Sequence, residues 1–190
     1  ENYKNVSIKP QIIDFATLKL ELAYNLEENT QEILQFKNNQ LNIINVPIRD
    51  CGPLKSTIYY FDQAAKNKYK KYFNVDIDGI KIYRDGLITT PFAEYLVDHK
   101  EQKDILGLDK RRWSGFFDKL GTRDLLGYIE IADKLNPFII ESTNRQGFVD
   151  NKAFYQLKKF VIEQIQQIEK YLTNQKTSSR ETTKSGLSGA

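Results

Sequence analysis

Residues 79–90 read GIKIYRDGLITT, the clearest hairpin in the chain. Two short runs containing β-branched and aromatic residues meet at Asp85-Gly86, a pair that two-residue loops favour because both central residues take positive φ. On the N-terminal side, STIYYF (Ser56–Phe61) has strand composition, and AAKNKYKKYF (Ala64–Phe73) reads as a short basic helix. On the C-terminal side, residues 93–123 are polar and irregular around a charged knot, LDKRRW (Leu108–Trp113). A connection this long is functional, disordered, or contains a short helix. LLGYIEI (Leu125–Ile131) follows as the next strand. The order strand, helix, hairpin, long loop, strand, helix packs most simply as an α+β sandwich: a four-stranded sheet with helices on one face.

Residues 1–50 read as a β-rich extension. Leu18, Leu20 and Leu22 alternate with Lys19 and Glu21, the period-2 pattern of a half-buried strand. EILQF and LNIINV follow, separated by Lys37-Asn38-Asn39-Gln40, whose amides suit the left-handed geometry of a hairpin turn. Cys51-Gly52-Pro53 places a domain boundary. Residues 51–175 then form the main domain, closed by a long amphipathic helix. Asp150 or Asn151 caps that helix, and Phe154, Leu157, Val161, Ile165, Ile168 and Leu172 make one apolar stripe. Beyond it the chain decays into Ser, Thr, Lys and Gly, so residues 176–190 are expected to be a disordered tail.

Composition narrows the classes. With 190 residues, 40% apolar and 28% charged, the chain can bury a real core. No apolar run approaches the roughly 20 residues of a membrane span, and no signal segment opens the sequence. One cysteine, Cys51, excludes an internal disulfide framework and fits a reducing cytoplasm. One histidine, His99, excludes a His-rich metal site. A net charge of +3 is mild, so nucleic acid is allowed as a partner without being demanded. The start at Glu1 and the absence of methionine point to a piece of a longer protein.

Chemistry-bearing residues concentrate in ESTNRQGFVDN (Glu141–Asn151). A strand-to-helix connection needs a turn and a cap, not an arginine between two amides. Arg145 either pairs with Glu141 or Asp150 beside the helix start, or is held out for an anion. Lys110, with Arg111 and Arg112, is a second basic candidate, against the simpler reading of a solvated charge run anchored by Trp113. Tyr83-Arg84-Asp85-Gly86 reads first as structural, since the turn needs Gly86 and Asp85 suits a left-handed position; Arg84 facing a neighbouring domain is the lesser alternative. Cys51 reads as a buried small residue, His99 as an exposed inert one, and Glu27-Glu28 as turn residues. The 22 Tyr and Phe residues raise the question of base stacking on a sheet; in STIYYF and GFVDNKAFYQLKKF their alternation or helical spacing is better explained by the core, and base stacking stays the open alternative.

Five segments in order, CGPLKSTIYYFD, GIKIYRDGLITTPF, ILGLDKRRW, LGYIEI and STNRQGFVDNKAF, resemble the part that follows the ATP-binding domain in bacterial GHKL-type ATPases. That superfamily includes DNA gyrase, the ninety-kilodalton heat-shock chaperone, histidine kinases, MutL and the MORC proteins. The resemblance spans Cys51 to Phe160, about three fifths of the chain. It implies a transducer-type, split β-α-β fold that rests against an upstream ATPase domain and places one loop cation on the γ-phosphate of ATP. In MORC proteins this loop reads approximately His-Asn-Lys-Gln-Asp-Phe. Thr143-Asn144-Arg145-Gln146-Gly147-Phe148 is similar, with Arg145 in the place of the lysine and Asn144 and Gln146 supporting the loop. The heat-shock chaperone uses arginine for a comparable contact. The exchange fits the chemistry, because a guanidinium donates two parallel hydrogen bonds to phosphate and an arginine finger can contribute about 10³–10⁵ in rate. Lys110 is the secondary nucleotide candidate.

The resemblance further implies ATP and Mg as cofactors of the upstream domain, a cytoplasmic bacterial parent that dimerises with nucleotide bound, and no membrane. The acidic residue and asparagine on one helix, the DxGxG-type turn, the glycine-rich lid and the GxxxxGK[ST] loop are all missing here. The segment is therefore expected to be inactive alone, within an ATPase. The alternative is an autonomous RNA- or protein-binding α+β module.

Overall fold

The computed structural model describes residues 15–77, 79–92, 106–113, 119–143 and 147–187. The strands are β1 (Leu18–Leu22), β2 (Tyr24–Asn25), β3 (Thr30–Lys37), β4 (Gln40–Pro47), β5 (Lys55–Tyr60), β6 (Gly79–Arg84), β7 (Leu87–Phe92) and β8 (Leu125–Ile131). The helices are α1 (Gln63–Phe73), α2 (Leu108–Trp113) and α3 (Lys152–Leu187). The class is α+β, as the element order requires.

Both two-residue turns form where their residues allow positive φ. Asn38 and Asn39 (φ 53° and 60°) join β3 to β4, and Asp85 and Gly86 (φ 48° and 83°) join β6 to β7. The main sheet has the order β1-β5-β8-β6-β7, and a second sheet the order β2-β3-β4. The four strands expected are present, and β1 adds a fifth by pairing antiparallel with β5 from Leu18↔Tyr60 to Leu22↔Ser56. The extension thus donates an edge strand to the main body, because Leu20 and Leu22 can be buried only on the core face of that sheet. α1 connects β5 to β6 across β8, which lies between them; β6 runs parallel to β8 and β5 antiparallel.

Alternation along the strands makes two faces. Ile58, Ile80, Ile82, Leu125 and Ile129 form the core with Leu157, Phe160, Val161, Ile165 and Ile168 of α3. Tyr59 and Leu126 point the other way, into a smaller cluster with Phe61, Ala65 and Tyr69 at the α1 end. The two helices therefore divide between the faces instead of sharing one. Strand parity sends Phe61, and α1 behind it, to the side opposite Ile58.

Asn151 is the cap of α3: its Oδ1 accepts from the Phe154 N–H at 2.9 Å. The expected apolar stripe is buried through Ile168. The helix does not end there. Residues 176–187, expected to be disordered, continue it, with exposed side chains where these are described. Extending a helix that packing has already nucleated costs little per residue. Thr177, Ser178, Ser179, Thr182 and Thr183 absorb their own polarity by donating to carbonyls four residues back.

The turn at Cys51-Gly52-Pro53, where the sequence places a boundary, is stitched to three elements. Gln156 Oε1 accepts from the Cys51 N–H (2.8 Å), and Asn136 Nδ2 donates to the carbonyls of Cys51 (2.9 Å) and Pro53 (3.0 Å). Gln31 pairs with both backbone groups of Leu54, each at 2.8 Å. Gly52 sits at φ +91°, where a Cβ would lie 2.1 Å from the Leu135 oxygen.

α3 is also fixed against β3. Where β2 stops after the Glu32 N–H to Ala23 oxygen bond, the next N–H groups on that edge, of Leu34 and Phe36, donate to Gln164 (2.7 Å) and Gln167 (2.9 Å).

Candidate functional site

The loop before α3 is a small hairpin. Glu141 and Phe148 form an isolated antiparallel bridge, and the Val149 N–H donates to the Ile140 oxygen at 2.8 Å. The Gly147 carbonyl accepts from both the Ser142 N–H (2.9 Å) and the Ser142 hydroxyl (3.0 Å). Gly147 has φ +149° and open space where a Cβ would be, so the backbone there closes a turn that most side chains resist. Asn144, Arg145 and Gln146, which join Thr143 to Gly147 in the sequence, lie outside the described residues.

The base of the hairpin is braced from two sides. The Phe148 ring stacks on Phe154 of α3, with centroids 5.1 Å apart. Arg84, whose side chain is only 13% exposed, pairs with Asp133 at 2.5 Å, donates to the Ile139 carbonyl, and holds its Nε 3.2 Å from Glu141 Oε1 without hydrogen-bond alignment. Arg84 is thus an internal anchor of residues 132–141, in keeping with the structural reading of Tyr83–Gly86. The two acids that compete for Arg145 in the simpler reading both face another cation: Glu141 faces Arg84, and Asp150 lies 3.8 Å from Lys158. Beside the loop, an open cleft of about 250 Å³ is lined by Asp50, Phe138, Asn151, Lys152, Ala153 and Gln156.

Lys110 is not part of this site. It is exposed on α2, whose Leu108 is fully buried and whose Arg111 pairs with Glu169 at 2.6 Å. Glu169 lies 15 residues beyond Phe154, about 22 Å farther along α3 at 1.5 Å per residue. Asp109 accepts from the Thr122 N–H (3.1 Å) and hydroxyl (2.8 Å), and Glu169 also accepts from the Leu120 N–H (3.1 Å). The charged knot is therefore largely a clasp that closes residues 119–124 onto α3. The side chains of Arg112 and Trp113 lie outside the described residues, as does His99.

Cys51 is 1% exposed, and burial pushes its thiol up to about 11. That makes it a buried small residue and a poor nucleophile. Glu27 and Glu28 occupy a turn closed by Asn25 Oδ1, which accepts from both their N–H groups at 2.9 and 3.1 Å. Among the described residues no group of three or more His, Cys, Asp or Glu could hold a metal ion, and no helix is long and apolar enough to cross a membrane.

Sequence reasoning placed the tyrosines of STIYYF in the core, and Tyr59 does pack, half-buried, against the smaller cluster at the α1 end. Tyr128 and Tyr83 share its face, turned away from α3, with Lys19, Lys55 and Lys81. The signal was present in the parity of the strands: Lys55 with Tyr59, and Lys81 with Tyr83, are an even number of residues apart. It could not be used without knowing which face α3 covers.

In comparisons with family models, curated proteins and solved structures, the chain found no match.

Proposed function

We propose that this segment is the lever of a GHKL-type ATPase, presenting Arg145 to the γ-phosphate of ATP bound on an upstream domain of the same protein. The observation that carries the reading is the braced pair of segments 140–143 and 147–149, which flank Asn144-Arg145-Gln146 in the sequence and open directly into α3. Its base is held by the Glu141–Phe148 bridge and the Phe148–Phe154 stack, so an order to the tip from outside passes into the first turn of the helix. Engagement of Glu141 and Asp150 by Arg84 and Lys158 further supports a guanidinium directed to an external anion.

ATP supplies the phosphoryl group; this chain supplies a positioned cation. Charge builds on the γ-phosphate oxygens as the bond to the leaving group lengthens, and a fixed fork of two N–H donors stabilises that charge more than the ground state. Asn144 and Gln146 orient the tip.

The test is ATP turnover by the full gene product, native against Arg145→Ala, with nucleotide affinity recorded alongside. The expected result is a fall of about a hundredfold or more in turnover with affinity little changed. Unchanged turnover, or a full gene product that does not hydrolyse ATP, overturns the proposal.

A further inference from the structure

The sheet face opposite α3 carries chemistry that the lever does not use. Register places Tyr59 on β5 opposite Leu126, Tyr128 on β8 opposite Lys81, and Tyr83 on β6 opposite Glu130. The three rings therefore step diagonally across three adjacent strands. Each diagonal step is about 7–8 Å, of the order of one extended nucleotide. The Tyr83 and Tyr128 rings meet edge to face at 6.1 Å, and Lys19 lies 5.8 Å over the Tyr59 ring. Tyr128 is 36% exposed, and the neighbouring Ile88 on β7 is 55% exposed, so this half of the face is uncovered among the described residues.

Lysines flank the diagonal. Lys19 stands beside Tyr59, Lys81 beside Tyr128, and Lys55 two rows from Tyr59, level with Glu130 and with Tyr83 beyond it. Lys19 pairs with Glu21 at 2.7 Å, and Lys55 with Glu130 at 3.5 Å. Both pairs are at the surface, where ion pairs contribute little and a phosphate can replace the carboxylate as partner.

We propose that this face binds single-stranded nucleic acid, with successive bases stacked on Tyr59, Tyr128 and Tyr83 and the phosphates tracking Lys19, Lys55 and Lys81. Aromatic platforms with basic neighbours on an open sheet suit single strands because every base has a π-face, whereas a duplex keeps its bases stacked on one another. A protein partner is the competing occupant; it would not require the register of three rings and three cations. The inference is independent of Arg145 and of any ATPase domain.

The experiment is fluorescence anisotropy of a labelled twelve-nucleotide oligo(U) titrated with the 190-residue chain, native against Tyr128→Ala and Lys81→Ala, at 50 and 200 mM salt. Circular dichroism and a thermal melt monitor folding. Loss of one stacking ring should weaken binding by about five- to a hundredfold. Three neutralised phosphates should make the native affinity fall about twentyfold between the two salts. If Tyr128→Ala does not fold, Lys81→Ala decides, with a weaker affinity and a shallower salt slope expected. No binding at micromolar protein, equal affinity for a duplex of the same length, or binding that neither variant alters overturns the proposal.

Discussion

Gln31→Leu tests the stitching of the Cys51–Leu54 turn. Gln31 is 3% exposed and Leu54 1%, so the groups between them are cut off from water. The Gln31 amide accepts from the Leu54 N–H and donates to the Leu54 oxygen, each at 2.8 Å, and donates also to the Ala23 oxygen at 3.0 Å. It therefore acts like one residue of a strand partner placed where no strand runs. Leucine fills similar volume and deletes all of these bonds. The Ala23 oxygen keeps the Glu32 N–H, so the two Leu54 groups are left unmade at about 1–3 kcal/mol each, and the leucine recovers about 1 kcal/mol from its extra apolar surface. A net loss of about 1–5 kcal/mol follows, a large fraction of the 5–15 kcal/mol typical of a domain. With a urea slope of about 2 kcal/mol per molar, the midpoint should fall by about 0.5–2.5 M. Gln63→Leu is the control, since Gln63 bonds only Asn67 on the exposed face of α1 and should shift stability by no more than about 0.5 kcal/mol. Faster amide exchange at Leu54 should accompany the loss. A midpoint for Gln31→Leu no lower than that of Gln63→Leu would refute the reasoning.

Gly52→Ala should lower the thermal midpoint sharply, because the added methyl lands 2.1 Å from the Leu135 oxygen at a positive φ; an unchanged melt would mean the turn relaxes freely. Glu169→Ala removes a carboxylate that pairs with Arg111 and accepts from the buried Leu120 N–H, and should cost about 1–3 kcal/mol in a denaturant melt, whereas Glu169→Gln, which keeps an acceptor, should lose less; equal losses would refute this. For Cys51, a folded value of about 11 against an ordinary 9.0 means that the folded state holds the proton longer than the unfolded one. Stability contributed by this site is complete below pH about 9 and is lost as pH rises toward about 11, and Cys51→Ala should remove that part of the pH dependence measured by urea titration.

The hairpins were legible because their turns are local: Asn38-Asn39 and Asp85-Gly86 tolerate the positive φ that two-residue loops impose. The cap and stripe of α3 were legible for the same reason, since Asn151 and the spacing from Phe154 to Ile168 act within a few residues of each other. Nonlocal features were not. Leu18, Leu20 and Leu22 mark a half-buried strand, but nothing in them says that its partner is β5 across more than thirty residues. That Tyr59, Tyr83 and Tyr128 share a face turned from α3 shows only once α3 is seen to occupy the other one. Gln31, Asn136, Gln156 and Gln164 read as surface amides, because an amide that bonds water and one that bonds a buried backbone group have the same letter. The tail misled for a different reason: low apolar content argues against packing, whereas an existing helix needs no packing to grow another turn. For the loop site, the bracing by Arg84 and Phe148 was hidden, and so was the distance that separates Lys110 from it.

The glutamines that tie α3 to β3 and to the Cys51 turn have a mechanical corollary. A helix held only by an apolar stripe can slide or roll by a residue at modest cost; one whose Gln156, Gln164 and Gln167 each occupy a specific backbone N–H cannot. Motion imposed at the head of α3 is then delivered as rigid rotation of the whole body, not as a shift of one element past another. At 36 residues the helix is about 54 Å long, so a tilt of about 10° about its head sweeps the far end through about 9 Å. The same tilt moves a point about 10 Å from the pivot by only about 2 Å, so the far end of α3 travels about five times as far as the head is pushed.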